Sequence, residues 1–366
     1  MFFSIGVVFL CIIALMTRIN KKTLIIVTFV FLSAIAILFE PQIGLDLYTH
    51  YHMLDIMRRL GYADTVARFG YLMGNLPVYS AFFYLVSLLQ FNKLLLVITY
   101  LVVYGCMFHV LSMCVEDHGW SLKGWKIGYV VVMLITNAYS VTGIRYTLAF
   151  AVVFLFLYID LVQKKHRLRS LIVYVLMCML HDGMILVLAF RLLLYIPATK
   201  ITEKLKYLIL FWQGWLELIN SILRAIPYPF FSSVADKLML YSTQESASTW
   251  IGGIGMQTLY GMRILILAFI ALYCLLYDRN KKSDYQRMLV LLILFCFGGV
   301  SSMALIDRYT TITFMYALPF ILDMNGESNM SRDSEKILIQ LRMLPMLILI
   351  VAYFGCLVVF QYQYFI

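Results

Sequence analysis

Apolar residues in this chain fall in long unbroken runs, separated by short polar breaks. The runs lie at roughly 2–16, 23–39, 76–90, 94–114, 127–142, 146–162, 170–196, 207–223, 259–277, 288–304, 309–322 and 337–360. A helix of about 20 apolar residues crosses the hydrocarbon core of a bilayer. The pattern therefore predicts an all-α, polytopic membrane protein with about 11–12 transmembrane helices. No fixed-period repeat stands out, and no pair of matching halves of the kind many secondary transporters carry. Between Asp46 and Arg68 the spacing is helical, with Leu47, Tyr51, Leu54 and Met57 on one face. That segment reads as an interfacial helix or a surface linker.

Composition sharpens this picture. Hydrophobic residues make up 63% of the 366 positions and charged residues 13%. Typical soluble domains are about 45–50% apolar and about 25% charged. So much apolar surface excludes a soluble enzyme, a nucleic-acid-binding domain and a disordered chain. It predicts a single integral membrane domain over 1–366. The formal charge of +10 is spread over short loops. It reads as basic residues retaining loops in the cytoplasm, with no nucleic-acid partner. The seven cysteines lie in or beside apolar runs without a C-x-x-C pair, as small buried hydrophobes. Arg18, Lys21 and Lys22 follow the first apolar run instead of preceding it, which fits an uncleaved first helix.

Charge also exposes a conflict. Arg18–Lys22, Lys164–Arg169, Lys200–Lys206 and Arg279–Arg287 are basic loops that belong inside. Simple alternation of the runs puts 163–169 outside. At least one run is therefore re-entrant or broken, and two candidates stand out. One is the short run at 127–142. The other is the long run at 170–196, which carries His181, Asp182 and Gly183 in its middle. Two long loops of near-zero net charge, 40–75 and 224–258, fit the outer side. The second holds Tyr228, Phe230, Phe231, Tyr241 and Trp250.

Ionisable groups inside apolar runs are costly and face a cavity or a partner. Arg145, His181, Asp182, Asp307 and Arg308 sit at interruptions between or within runs. His109, Arg191, Arg224 and Arg263 read as snorkelling or helix–helix contacts. Two guanidinium groups can hold a pyrophosphate and stabilise it as a leaving group. A histidine can take or orient the proton of a sugar hydroxyl. Aromatic loop residues, Tyr241 and Trp250 among them, can lie against sugar rings. No carboxylate cluster suited to a divalent cation is visible, and no nucleotide-binding loop, so no metal or cofactor is expected.

In order along the chain, Gly44-Leu45-Asp46-Leu47-Tyr48, Ile144-Arg145-Tyr146-Thr147-Leu148-Ala149, Lys164-Lys165-His166-Arg167, Met179-Leu180-His181-Asp182-Gly183 and Asp307-Arg308-Tyr309 resemble the Wzy/EpsG-type polysaccharide polymerases. Each motif alone is weak; the order carries the resemblance. There are departures. Glu40 stands where the family often has Arg, Tyr146 where it has Gln, Gly183 where it has Ser, and His50 at an expected aromatic position.

The resemblance implies a C-type, lipid-linked-sugar glycosyltransferase of the bacterial plasma (inner) membrane. It would move a growing chain from undecaprenyl pyrophosphate onto a lipid-linked repeat unit, making capsule, exopolysaccharide or O-antigen. Arg145 and Arg308 would hold the pyrophosphate. His181 would activate or orient the acceptor hydroxyl, with Asp46, Asp182 or Asp307 as a second base. Its expected partners are undecaprenyl-pyrophosphate-linked oligosaccharides and the lipid bilayer, with a chain-length regulator and a flippase beside it. The residues alone leave three alternatives open: a lipid-linked oligosaccharide flippase or other transporter, another lipid-linked-sugar glycosyltransferase or ligase, and a membrane acyltransferase.

Overall fold

A computed structural model describes residues 2–41, 46–69, 76–119, 122–136, 143–197, 204, 206–242, 254–277, 283–300, 302–323 and 333–360. Among these the chain is helical and contains no strand. We number the helices α1 (Phe2–Met16), α2 (Lys21–Leu38), α3 (Asp46–Arg68), α4 (Pro77–Ser87), α5 (Leu94–His118), α6 (Leu122–Ile135), α7 (Ile144–Leu157), α8 (Arg167–Cys178), α9 (Met184–Leu193), α10 (Leu216–Ala225), α11 (Pro229–Ser242), α12 (Ile254–Tyr277), α13 (Asp284–Gly298), α14 (Met303–Asp323) and α15 (Asp333–Phe360). A π turn, Tyr158–Val162, continues α7, and a 3₁₀ helix, Lys206–Trp215, precedes α10.

Four helices among the described residues are long and apolar enough to cross a membrane: Lys21–Leu38, Leu94–Asp117, Ile144–Val162 and Gln257–Cys274. Several other apolar runs fold as shorter pieces. The run at 76–90 holds an 11-residue helix, and the run at 127–142 ends a 14-residue one. The run at 170–196 is two helices of 12 and 10 residues, parted at His181-Asp182-Gly183. The run at 207–223 is a 3₁₀ helix followed by ten residues of α-helix. Apolar length alone overstates helix length, because polar pairs and glycines break the runs.

The chain forms two compact units, each built from discontinuous stretches. The first comprises Met1–Arg59, Leu85–Leu155 and Phe314–Ile366. In it α2 packs along α5, and α6 packs against α1, α5 and α15. Asn20 caps α2 by accepting from the Thr23 amide at 2.9 Å, and Gly119 ends α5 in the left-handed region. The core is aromatic: Phe108 stacks on Tyr129 at 5.3 Å, and the Tyr129 hydroxyl meets Thr28 Oγ1 at 2.6 Å. Lys21 pairs with Glu116 at 3.3 Å, and Lys126 donates to the Thr17 carbonyl. Lys93 pairs with Glu40. These contacts place the start of α2 by the end of α5, and the chain just after α2 by the start of α5, so the two run antiparallel. Residues 41–92 therefore leave and return at one end of the pair. Arg58 fastens α3 there, donating to Ser87 O at 2.9 Å, to Asp55 Oδ1 at 2.8 Å and to Asn92 Oδ1.

The second unit comprises Leu60–Tyr84 and Phe156–Thr313. α13 is its spine, packing with the 3₁₀ helix, α9, α12 and the π turn. Ser283 caps α13, accepting from the Gln286 amide at 3.2 Å. Gln286 donates to Cys274 O at 3.4 Å, while Tyr260 donates to Val300 O. So α12 and α13 are antiparallel, with Ser283–Arg287 at the Cys274 end.

Candidate functional site

The break at 179–183 is built by the local backbone. The amides of Leu180 and His181 turn back to Met177 O at 3.2 and 2.9 Å. Those of Met184 and Ile185 take up His181 O and Asp182 O at 3.0 Å and start α9. The Tyr79 amide, in the first turn of α4, donates to Met179 O at 3.2 Å. This satisfies a carbonyl that the end of α8 would otherwise leave bare.

Both ends of the α8–α9 pair meet one buried carboxylate. Asp160, in the π turn, accepts from Arg191 Nε at 2.6 Å and Arg191 Nη2 at 3.2 Å, and from the Tyr174 hydroxyl at 3.2 Å. Arg167 Nε stands 4.0 Å away. α8 thus leaves from Asp160 and α9 returns to it. Twelve residues of helix rise about 18 Å, which sets the His181 break that far from the basic turn at 163–169. Sequence reasoning left Arg191 as a helix contact, which it is, and missed Asp160. An acid inside the run at 146–162 was the available signal.

At the break, His181 and Asp182 are buried, 8% and 6% exposed. The Gly183 amide is shared between His181 Nδ1 at 3.1 Å and Asp182 Oδ1 at 3.0 Å. Accepting at Nδ1 fits a neutral ring that holds its proton on Nε2. In this geometry the ring presents a donor. Acting as a base from Nε2 would require Nδ1 to be protonated and its bond to Gly183 given up. Tyr309 on α14 donates to Gly183 O at 2.7 Å. A Cβ at Gly183 would come 2.8 Å from His181 Cε1 and 3.2 Å from the Tyr309 hydroxyl. A side chain larger than hydrogen is thus crowded at this position.

Tyr309 is held from behind. Its ring meets Phe295 edge-on at 4.9 Å, and Phe295 stacks on Trp212 at 4.9 Å. The Trp212 indole donates to Phe295 O at 3.1 Å. Beside Tyr309, Arg308 is half-buried. Arg263, buried on α12, donates to Thr310 Oγ1 at 3.2 Å.

The other expected residues lie elsewhere. Arg145 is half-buried in the first turn of α7, in the first unit. Its charge acts on His50, a buried residue of α3. Burial first, and the Arg145 guanidinium second, hold the His50 pKa down to about 3, so its ring stays neutral. Asp46, one turn before His50, is exposed. Glu40 is the partner of Lys93. The side chains of Asp307 and Tyr241, and all of Trp250, lie outside the described residues, as does Gly44-Leu45. Among the described residues no group of three His, Cys, Asp or Glu could hold a metal. His181, Asp182, Arg308 and Tyr309 thus belong to one unit, and Asp46, His50 and Arg145 to the other. No protein-family model, no curated protein and no solved structure matches the chain.

Proposed function

We propose that this protein is a multi-pass glycosyltransferase of the bacterial inner membrane, of the C-type class. It polymerises undecaprenyl-pyrophosphate-linked repeat units into capsule, exopolysaccharide or O-antigen. The observation that carries the reading is the buried His181-Asp182-Gly183 break, tied to Tyr309 beside Arg308. A polar, hydrogen-bonded break in an apolar hairpin is found at membrane depth where backbone lines a functional cavity. Arg308, in the same unit as the break, supplies a planar, permanent cation for phosphate oxygens, and the resemblance adds Arg145. His181, with its proton on Nε2, donates to an oxygen of the substrate and orients it. Asp182, next to His181, is the carboxylate that receives the acceptor proton in this reading.

Topology supports an outward-facing site. With α2 and α5 as crossings, residues 41–92 stay on one side, and the run at 76–90 adds no crossing. The turn at 163–169 then falls on the same side as Arg18–Lys22, where basic residues belong. Taking 76–90 out of the crossings lifts the conflict in the charge pattern, provided 127–142 crosses. α8 and α9 form a re-entrant hairpin from that basic side, reaching about 18 Å into a core of about 30 Å.

The test uses purified protein in liposomes with lipid-linked repeat units, reading product length. Wild type should give long chains. Arg145→Ala, Arg308→Ala and His181→Ala should leave units mostly monomeric while remaining folded. Folded variants that polymerise at the wild-type rate would overturn these roles. A wild type that moves units across the membrane yet leaves them monomeric would be a flippase.

A further inference from the structure

The segment that carries Trp212 continues into α10, whose two faces divide cleanly. Around the helix, Leu216, Leu218, Ile219, Ile222 and Leu223 share one arc, and Glu217, Asn220, Ser221 and Arg224 the opposite one. Leu216, Ile219 and Leu223 are half-buried, where α10 packs with α11 and the 3₁₀ helix. Leu218 and Ile222, by contrast, are 55% and 56% exposed. Before α10, Trp215, Phe211 and Leu208 of the kinked 3₁₀ helix are also exposed. On the polar arc, Arg224 donates to Asn220 Oδ1 at 3.2 Å and pairs with Asp236 of α11.

Three observations say what covers the stripe. Ten residues of helix span about 15 Å, half of a bilayer core, so α10 with its exposed charges does not cross. Trp212, four residues before α10, packs at Gly298 and Gly299, the end of α13 away from Arg287, where the basic segment of the sequence ends. Basic segments mark the inner side, so α10 starts toward the outer one. The same unit also exposes Leu265 and Leu272 on the candidate span Gln257–Cys274. The stripe on α10 is of the same kind, and Trp215 just before it is an aromatic suited to the headgroup level.

We infer that α10 lies in the plane of the membrane on the outer leaflet, with Leu218 and Ile222 in lipid and Glu217, Ser221 and Arg224 in water. The partner is the bilayer surface itself. This replaces the crossing that the apolar run at 207–223 suggests. It does not rest on the polymerase reading. It does bear on the His181 break, because Trp212 braces Phe295, Phe295 braces Tyr309, and Tyr309 holds Gly183. The lipid surface is thereby one anchor of that chain.

The experiment is a spin-label scan of full-length protein in nanodiscs, with single cysteines at 217, 218, 221, 222 and 224 and reactive native cysteines replaced. Collision with oxygen reports lipid, and collision with a water-soluble nickel complex reports solvent. Labels at 218 and 222 should be oxygen-accessible at one common depth, about 5–10 Å below the headgroup boundary. Those at 217, 221 and 224 should meet nickel. A depth difference of about 6 Å between 218 and 222, as in a spanning helix, overturns the inference. So does nickel access at 218 and 222 equal to that at 217. Shielding of 218 and 222 from both reagents, relieved by dilution of the protein, would make a second copy the occupant and overturn it as well.

Discussion

Breaking the Asp160–Arg191 pair from either side should have unequal costs. The carboxylate is 0% and the guanidinium 4% exposed, and two hydrogen bonds of 2.6 and 3.2 Å join them. Removing one partner of such a pair strands a buried charge and costs about 3–5 kcal/mol. Asp160→Asn should fall in that range, because no other carboxylate reaches Arg191 among the described contacts. Arg191→Met should cost less, about 2–3 kcal/mol within the same treatment, because Arg167 already stands 4.0 Å from Asp160 and can close in. The double variant Asp160→Leu/Arg191→Met removes both charges from the interior. It should recover most of the loss, to within about 1–3 kcal/mol of wild type, the residue being the Tyr174 hydroxyl left without its acceptor. Unfolding of the intact chain in mixed micelles, followed by circular dichroism, measures all four species. Single variants that each cost under about 1 kcal/mol would refute a buried, desolvated pair.

Other outcomes follow from the two polar clusters. His50 is held neutral by a pKa of about 3, so between that value and the ordinary histidine value the unfolded chain binds the extra proton. Stability should therefore fall with pH below about 6.5 and be about 2 kcal/mol lower at pH 5 than at pH 7.5 from this residue. Unfolding curves of His50→Gln should lack that increment; a variant with the wild-type pH dependence would refute it. Gly183→Ala forces a Cβ against His181 and Tyr309 and should cost about 1–3 kcal/mol, with polymer length collapsing even where the protein accumulates normally on immunoblots. Tyr309→Phe leaves Gly183 O without its donor at about 1–3 kcal/mol. Faster amide exchange at 181–184 is the measurement, and unchanged protection would count against the bond.

Helicity and the break at 181–183 were legible in the chain, because they depend on local periodicity and on polar residues interrupting an apolar run. The helical stretch from Asp46 was also legible from the spacing of Leu47, Tyr51, Leu54 and Met57, but not its kink at Gly61, where φ is 77°. What the chain did not disclose were pairings between distant positions. Asp160 finds Arg191 across 31 residues, and Arg58 finds Asn92 across 34. Hydropathy counts each charge singly and says nothing of which one it meets. The run at 76–90 misled for a related reason: its apolar residues bury themselves, as Tyr79 and Phe83 do, without being long enough to cross. Arg145 and His181 both interrupt apolar runs, and each has described partners within its own unit.

The π turn at Tyr158–Val162 has a consequence for how relatives of this chain would align. Its closing bond runs from the Gln163 amide to Tyr158 O, five residues back. Such a turn is an α-helix that has taken in one extra residue without moving its ends. Losing any one residue between 158 and 162 would restore α-helical geometry, leave the flanking positions in place and re-aim the residues within the turn, Asp160 among them. Hydropathy would hardly register the loss, since the run would remain apolar. Yet Asp160 and the basic turn after it would no longer face the same way. A single-residue gap at this point in an alignment would thus mark a homologue that has rebuilt the foot of its hairpin, however well the rest of its sequence agreed.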